Sequence, residues 1–422
     1  MVADVALMLR RSGFGPTAEE LTAARSAGYA ATLDALTAPV APDVGASNSP
    51  VPDIGVDPLV GLANPTPAQR TAAETKRGEQ LAAITRWWLD RLTTADHQTM
   101  EKLVFFWHGH WATSVKKVIR PQLMLLQHLT LRSSLNFGAM AHAMVHDPAL
   151  VFWLDGQANT RTAPNENLGR ELLELFTCGI GTYTEQDVKE AGRALTGWRI
   201  DFDKARTFFA PQSADPGMKT ILGVTKAFDA TALVDLVLTN PQCPRFIAAR
   251  LWYRYASPTT PVPAAAQQAM VDAFPDSMKM LRALLASDDF QQTAGNLVKQ
   301  PVEWFVGAMR QLQLRPAALD TAALGQVLYH LDRLGQVPFA PPSVGGWPAG
   351  AAWLTPGTAQ TRLSLAARIA GMADVRRLDP TSLAYLLAVD TWSDRTYAAL
   401  KKATDPRRLL MLGLISPEYV VT

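Results

Sequence analysis

Apolar residues recur in steps of three and four over most of the chain, and strict alternation is confined to one short region. The helical period predicts helices over Val2 to Arg11, Pro67 to Asp90, Met100 to Trp107, Pro121 to Leu131 and Asn136 to His146. Thr17 with Glu20 forms a capping box that opens another. Further on, the same period predicts Ala230 to Leu238, Pro244 to Tyr255, Ala264 to Ala273, Ser277 to Ala286, Val302 to Gln313, Leu319 to Leu334, Thr361 to Met372 and Pro406 to Leu414. Alternation marks Arg199 to Phe202 and Arg206 to Phe209 as strands, with Lys219 to Leu222 a candidate third. The expected fold is therefore all-α, a multi-helix array with a small β-hairpin element.

Breaks in this pattern set the organisation. Residues 39–67 hold seven prolines and several glycines and predict a long irregular loop, exposed and mobile, read as a linker or as a lid over a site. Ser257 to Pro263 holds three prolines and is the best candidate boundary. The chain thus divides into residues 1–38, an N-terminal helical segment; 39–67, the loop; 68–260, a central helical core carrying the β element and the candidate site; and 261–422, a helical region packed on that core.

The densest pattern runs from Ala163 to Trp198. Asn165 reads as an N-cap, and Gly179 and Gly181 as the end of a helix. Thr184 and Asp187 cap the next helix, which carries Glu190 and Arg193. On the first helix Glu166, Arg170 and Glu174 share one face, and Asn167, Glu171 and Glu174 form an adjoining polar stripe. The hairpin region comes directly after this helix pair.

Net charge is +2, which argues against a nucleic-acid partner or an anionic membrane. Two cysteines, Cys178 and Cys243, are too few for a disulfide framework, and Cys178 reads as a buried thiol. No apolar run is long enough to span a bilayer. No secretory signal is visible, so the chain is expected to stay inside or to lack its leader here.

Candidate chemistry centres on Glu166, Glu171 and Glu174. Neighbouring carboxylates in a partly apolar setting have their proton affinities pushed apart, so that one serves as acid and one as base. The structural alternative is an ion-pair network of Glu174 with Arg170 and of Glu171 or Glu190 with Arg193. Asn165, Asn167 and Arg170 are candidates to bind a polar ligand at the helix start. His108 and His110 are candidates to assist catalysis. They converge on a metal most easily from a strand or loop, and Gly109 permits the helix to end there. No cofactor is expected, and a metal at these histidines is the lesser alternative. Of the eleven tryptophans, Trp107, Trp111, Trp153, Trp198 and Trp347 border turns, where an indole suits either a sugar ring or a packed corner. Trp107, Trp111, Trp198, Trp347, Asp155 and Arg193 complete the expected substrate-contacting set. No phosphate loop, dinucleotide fingerprint, nucleophile elbow or His-Glu-x-x-His motif is present.

Several blocks together resemble the DUF1800 family. They are Leu9 to Pro16, Phe106 to Ser114, Pro164 to Phe176, Tyr183 to Val188, Ala194 to Trp198, Gly217 to Gly223, Lys299 to Glu303 and Pro341 to Trp347. The resemblance implies a mainly helical protein, often exported in other members, and carries no established reaction. Members often have a His-Asp pair where this chain has Ala214-Asp215, and a His where it has Leu7. The leading expectation is an acid/base hydrolase of the glycosidase type acting on a carbohydrate or similar polyhydroxylated substrate. The alternatives are metal-assisted hydrolysis through His108 and His110, and a non-enzymatic helical binding or assembly protein of an export or cell-surface system.

Overall fold

A computed structural model describes residues 4–422. Met1 to Ala3 lie outside the described residues, and with them the expected start of the first helix, which runs Val5–Ser12. Helices dominate, and the sheets among the described residues are two separate two-stranded antiparallel ones. Trp198–Asp201 pairs with Arg206–Phe209, Trp198 opposite Phe209. The candidate third strand, Lys219–Ile221, instead folds back on Val224–Lys226. The expected capping boxes at Thr17 and Thr184 form, and Thr66 and Thr355 make two more. No helix among the described residues is long and apolar enough to cross a membrane.

The Gln98–His110 helix is the hub, and every residue of it except Met100 is buried. Leu103, Phe106 and Trp107 belong to one apolar core, built with the helices between Phe137 and Leu195 and between Ala230 and Phe290. Val104 and Phe105 belong to a second, built from the Pro67–Thr94 helix and the chain beyond Val298. Both cores draw on residues from either side of Ser257 to Pro263. The charges on the hub are paired, as burial requires. Glu101 takes Arg132 at 2.5 Å and Arg91 at 2.9 Å, and Lys102 takes Glu303 at 2.9 Å.

Two of the sequence blocks are structural clamps. The Arg11 guanidinium donates to four carbonyls, those of Tyr255, Ala256, Thr293 and Thr422. The Pro341 to Trp347 loop docks on the hub, where a Cβ on Gly346 would lie 2.1 Å from the Gly109 carbonyl oxygen. Arg254 holds that loop by donating to the carbonyls of Trp347 and Pro348.

Residues 39–67 hold one short helix, Val44–Ser47, and are otherwise irregular and largely exposed, but tethered along the Pro67–Thr94 helix. The Asp43 carboxylate accepts from the backbone N–H of Asp96 and His97, and Trp87 Nε1 donates to the Ser49 carbonyl. Asp57 pairs with Arg77 at 2.7 Å and Arg120 at 3.2 Å. The segment lies along that helix and contributes no lining residue to the clefts beside Glu174 and Trp198.

Candidate functional site

The central helix begins as α-helix over Asn167–Glu171 and widens to a π-helix over Leu172–Thr177. Such wide turns add a residue to the helix and re-aim the side chains beyond them, often at functional sites. Gly179 and Gly181 then take positive φ values of 85° and 83°, which only glycine adopts without strain, and turn the chain back. The next helix, Glu185–Ala194, crosses the first at close range. A Cβ on Gly169 would lie 2.8 Å from the Gly192 nitrogen, and one on Gly192 2.9 Å from the Glu166 Cα.

Where the π segment ends, a cleft of about 490 Å³ opens. His110, Glu174, Cys178, Arg245 and Arg250 line it, with Val344 and Gly345 from the docked loop at its edge. Glu174 is the one acidic lining residue, and its carboxylate accepts a hydrogen bond from the Tyr183 hydroxyl. Burial together with this carboxylate pushes the Tyr183 hydroxyl pKa above its ordinary range. Glu171, one turn earlier, has its carboxyl pushed up by burial and by the charge of Glu174.

His110 Nε2 lies 2.9 Å from the carbonyl oxygen of Phe176. A carbonyl only accepts, so Nε2 carries the proton and Nδ1 is bare. That Nδ1 is buried and without a partner. Burial, and then the charge of Arg250, lower the imidazole pKa to about 3. His108 holds the opposite tautomer, because its Nε2 accepts from the Phe339 backbone N–H at 3.0 Å. Burial lowers its pKa to about 3 as well.

The expectation that the helix ends near Gly109 and lets the two histidines converge is corrected. The helix continues through Gly109 to His110. Two residues apart on a helix they point to opposite sides. His108 lies among Trp88, Phe339 and Trp347, and His110 among Trp107, Trp111 and Phe176. Among the described residues no group of three His, Cys, Asp or Glu side chains is arranged to hold a metal ion.

The remaining candidates separate. Trp107 and Trp111 are fully buried, and Trp347 is buried against Phe105. Asp155 pairs with Lys117 at 2.8 Å, away from the cleft. Arg170 pairs across the turn with Glu185 at 2.5 Å rather than with Glu174, and Arg193 takes Glu190 and Asp215, both at 2.7 Å. The expectation of Asn165 as the N-cap is corrected: Glu166 takes that position without a side-chain cap bond, and the Asn165 side chain, one residue earlier, accepts from the Asn167 N–H at 2.9 Å. Leu7 is core, and Asp215, beside Ala214, anchors Arg193. Trp198 lines a separate groove of about 610 Å³ with Phe209, Arg161, Asp215 and Asp229.

Of the expected set, the fold thus brings Glu174 and His110 into one cleft with Glu171 beside it. Sequence reasoning missed Arg245, Arg250 and Gln242. The signal was present: Gln242, Phe246 and Arg250 repeat every four residues, and no Asp or Glu occurs between Asp235 and Asp272 to pair with Arg245, Arg250 or Arg254.

A mainly helical protein with a cleft holding one carboxylate and two guanidinium groups at the end of a π-helical turn is the class defined by this geometry. The chain belongs to the family described as Protein of unknown function (DUF1800), which matches residues 7–421. No curated protein and no solved structure matches it.

Proposed function

We propose that the protein is an enzyme that works by acid/base chemistry on a small hydroxylated substrate in the Glu174 cleft. The observation that carries this reading is a carboxylate oriented by a tyrosine hydroxyl and lining an open cleft. Glu174 takes up or delivers the proton, and Tyr183 fixes the carboxylate's orientation. Burial and the charge of Glu174 push the Glu171 carboxyl up, which favours a protonated group able to act as an acid. Glycoside hydrolysis needs a second carboxyl within roughly 5–9.5 Å of the first, and Glu171 is the candidate for it. The test is a panel of nitrophenyl glycosides and glycuronides. Nitrophenol release by wild type that Glu171→Gln diminishes supports the pair, and no release from any member contradicts this substrate class.

A second reading rests on the groove beside the hairpin. Trp198 packs at a tilt against His146 at 4.0 Å and meets Phe209 at 5.4 Å, and Phe209 is 47% exposed. Aromatic faces beside Asp215 and Asp229 suit a neutral sugar ring, which would make the protein carbohydrate-binding at a place apart from Glu174. Saturable quenching of tryptophan fluorescence by oligosaccharides, abolished in Trp198→Ala, supports this reading, and quenching that persists in that variant contradicts it.

A further inference from the structure

We propose that the Glu174 cleft takes an oxyanionic ligand, a carboxylate or phosphate carried on a small molecule, and that Arg250 and Arg245 hold the charged group. This deepens the acid/base reading of the same cleft and rests on it for the choice of site.

The argument starts from charge. The cleft is lined by two guanidinium groups and one carboxylate, and that carboxylate is already engaged by Tyr183. Neither arginine forms an ion pair among the described residues. Elsewhere several partly buried arginines are paired: Arg132 with Glu101, Arg77 with Asp57, Arg193 with Asp215. Arg11 and Arg254, which lack a paired acid, spend their donors on backbone carbonyls instead. Arg250 does neither. Its Nε is buried without a partner, and its guanidinium lies over the Tyr253 ring, 5.7 Å from the centroid. A half-buried guanidinium with open donors is costly unless something completes it.

Geometry supplies the second observation. Gln242, Phe246 and Arg250 lie on one face of the Gln242–Tyr255 helix, with Arg245 beside them, and all four line the cleft. Gln267, from the neighbouring Ala264–Ala273 helix, adds another amide at the same wall. Planar guanidinium forks match the two oxygens of a carboxylate or phosphate, and amides add neutral hydrogen bonds. The loop that carries Val344 and Gly345 is held in place by Arg254, so the wall opposite is preset. A ligand whose anionic group sits on Arg250 then presents its remaining atoms toward Glu174.

The experiment compares binding of inorganic phosphate, D-glucuronate and D-glucose to the full chain by calorimetry or by ligand-observed NMR. Phosphate and glucuronate should bind saturably and glucose should not. Arg250→Gln should weaken both anions at least about tenfold, the loss of one charge-assisted pair. Arg245 is exposed, so Arg245→Gln carries the same test where Arg250→Gln fails to fold. Saturable binding of either anion supports the proposal if one arginine variant weakens it. No saturable anion binding, equal binding of glucose, or binding unchanged in both variants overturns it. Glu174→Gln separates the two readings: anion binding kept with turnover lost supports both, and anion binding kept with turnover unchanged leaves the anion site standing and removes the catalytic role of Glu174.

Discussion

His110 donates its Nε2 proton to the carbonyl of Phe176 across 2.9 Å, joining the end of the hub helix to the last turn of the π segment. The bond satisfies a carbonyl that the end of a helix leaves open. It also places the imidazole at the wall of the Glu174 cleft. His110→Ala removes a buried hydrogen bond and leaves a cavity among Phe106, Trp107 and Phe176. A loss of about 2–4 kcal/mol of unfolding free energy is expected. His110→Gln, which retains a donor, should lose less. Urea unfolding of the two variants checks the order.

Acid should weaken the fold before its carboxylates titrate. His108 and His110 have pKa values lowered to about 3, and burial holds His128 well below its ordinary value. Their stability contribution is complete above the unfolded value of about 6.5 and is lost as pH falls toward 3, with a slope of up to about 1.4 kcal/mol per pH unit for each. Asp147 opposes this trend. Burial raises its pKa to about 7, so its contribution is present below about 4 and is lost as pH rises through 7. Asp147→Asn keeps an N-cap for the Pro148–Trp153 helix. That variant should be at least as stable as wild type at pH 8 and lose that margin at pH 4. Denaturant midpoints at pH 4, 6 and 8 decide it.

The crossing of the two central helices depends on the absence of side chains at Gly169 and Gly192. Alanine would favour the helix by up to about 1 kcal/mol on propensity alone. Here the new Cβ on residue 169 would meet the Gly192 nitrogen at 2.8 Å and the Ala191 carbonyl carbon at 3.0 Å, and backbone does not yield cheaply. Overpacking of this kind costs about 1–3 kcal/mol. Gly169→Ala should therefore lower the melting temperature, whereas Gly78→Ala, with open space around it in the Pro67–Thr94 helix, should raise it or leave it unchanged.

Local signals read well because they act through neighbours in sequence. The capping box at Thr184, the left-handed glycines at 179 and 181 and the hairpin after Trp198 all arise from residues within a few positions of one another. The expectations that failed were decided by distant packing. The helix passes through Gly109 because both of its faces are buried and Gly346 docks on its carbonyl, which outweighs glycine's poor propensity. Trp107 and Trp111 border a turn in sequence, yet they face a core assembled from Phe137 and Phe176. Arg170 chose Glu185, fifteen residues on, over Glu174 because the tight turn brings the second helix alongside. The candidate site was half legible: Glu174 stood out in its own helix, but its arginine neighbours come from a helix some seventy residues later.

The central claim is that Glu174 serves chemistry rather than the fold, and Glu174→Gln tests it most directly. Turnover of whichever nitrophenyl substrate wild type accepts, and the melting temperature, are to be measured on one preparation. The account predicts a melting temperature within a few degrees of wild type and a fall in turnover of at least about a hundredfold, the size expected on removing an acid/base group. A lowered melting temperature with turnover preserved would show the Glu174–Tyr183 pair to be a structural tie, and would contradict the account.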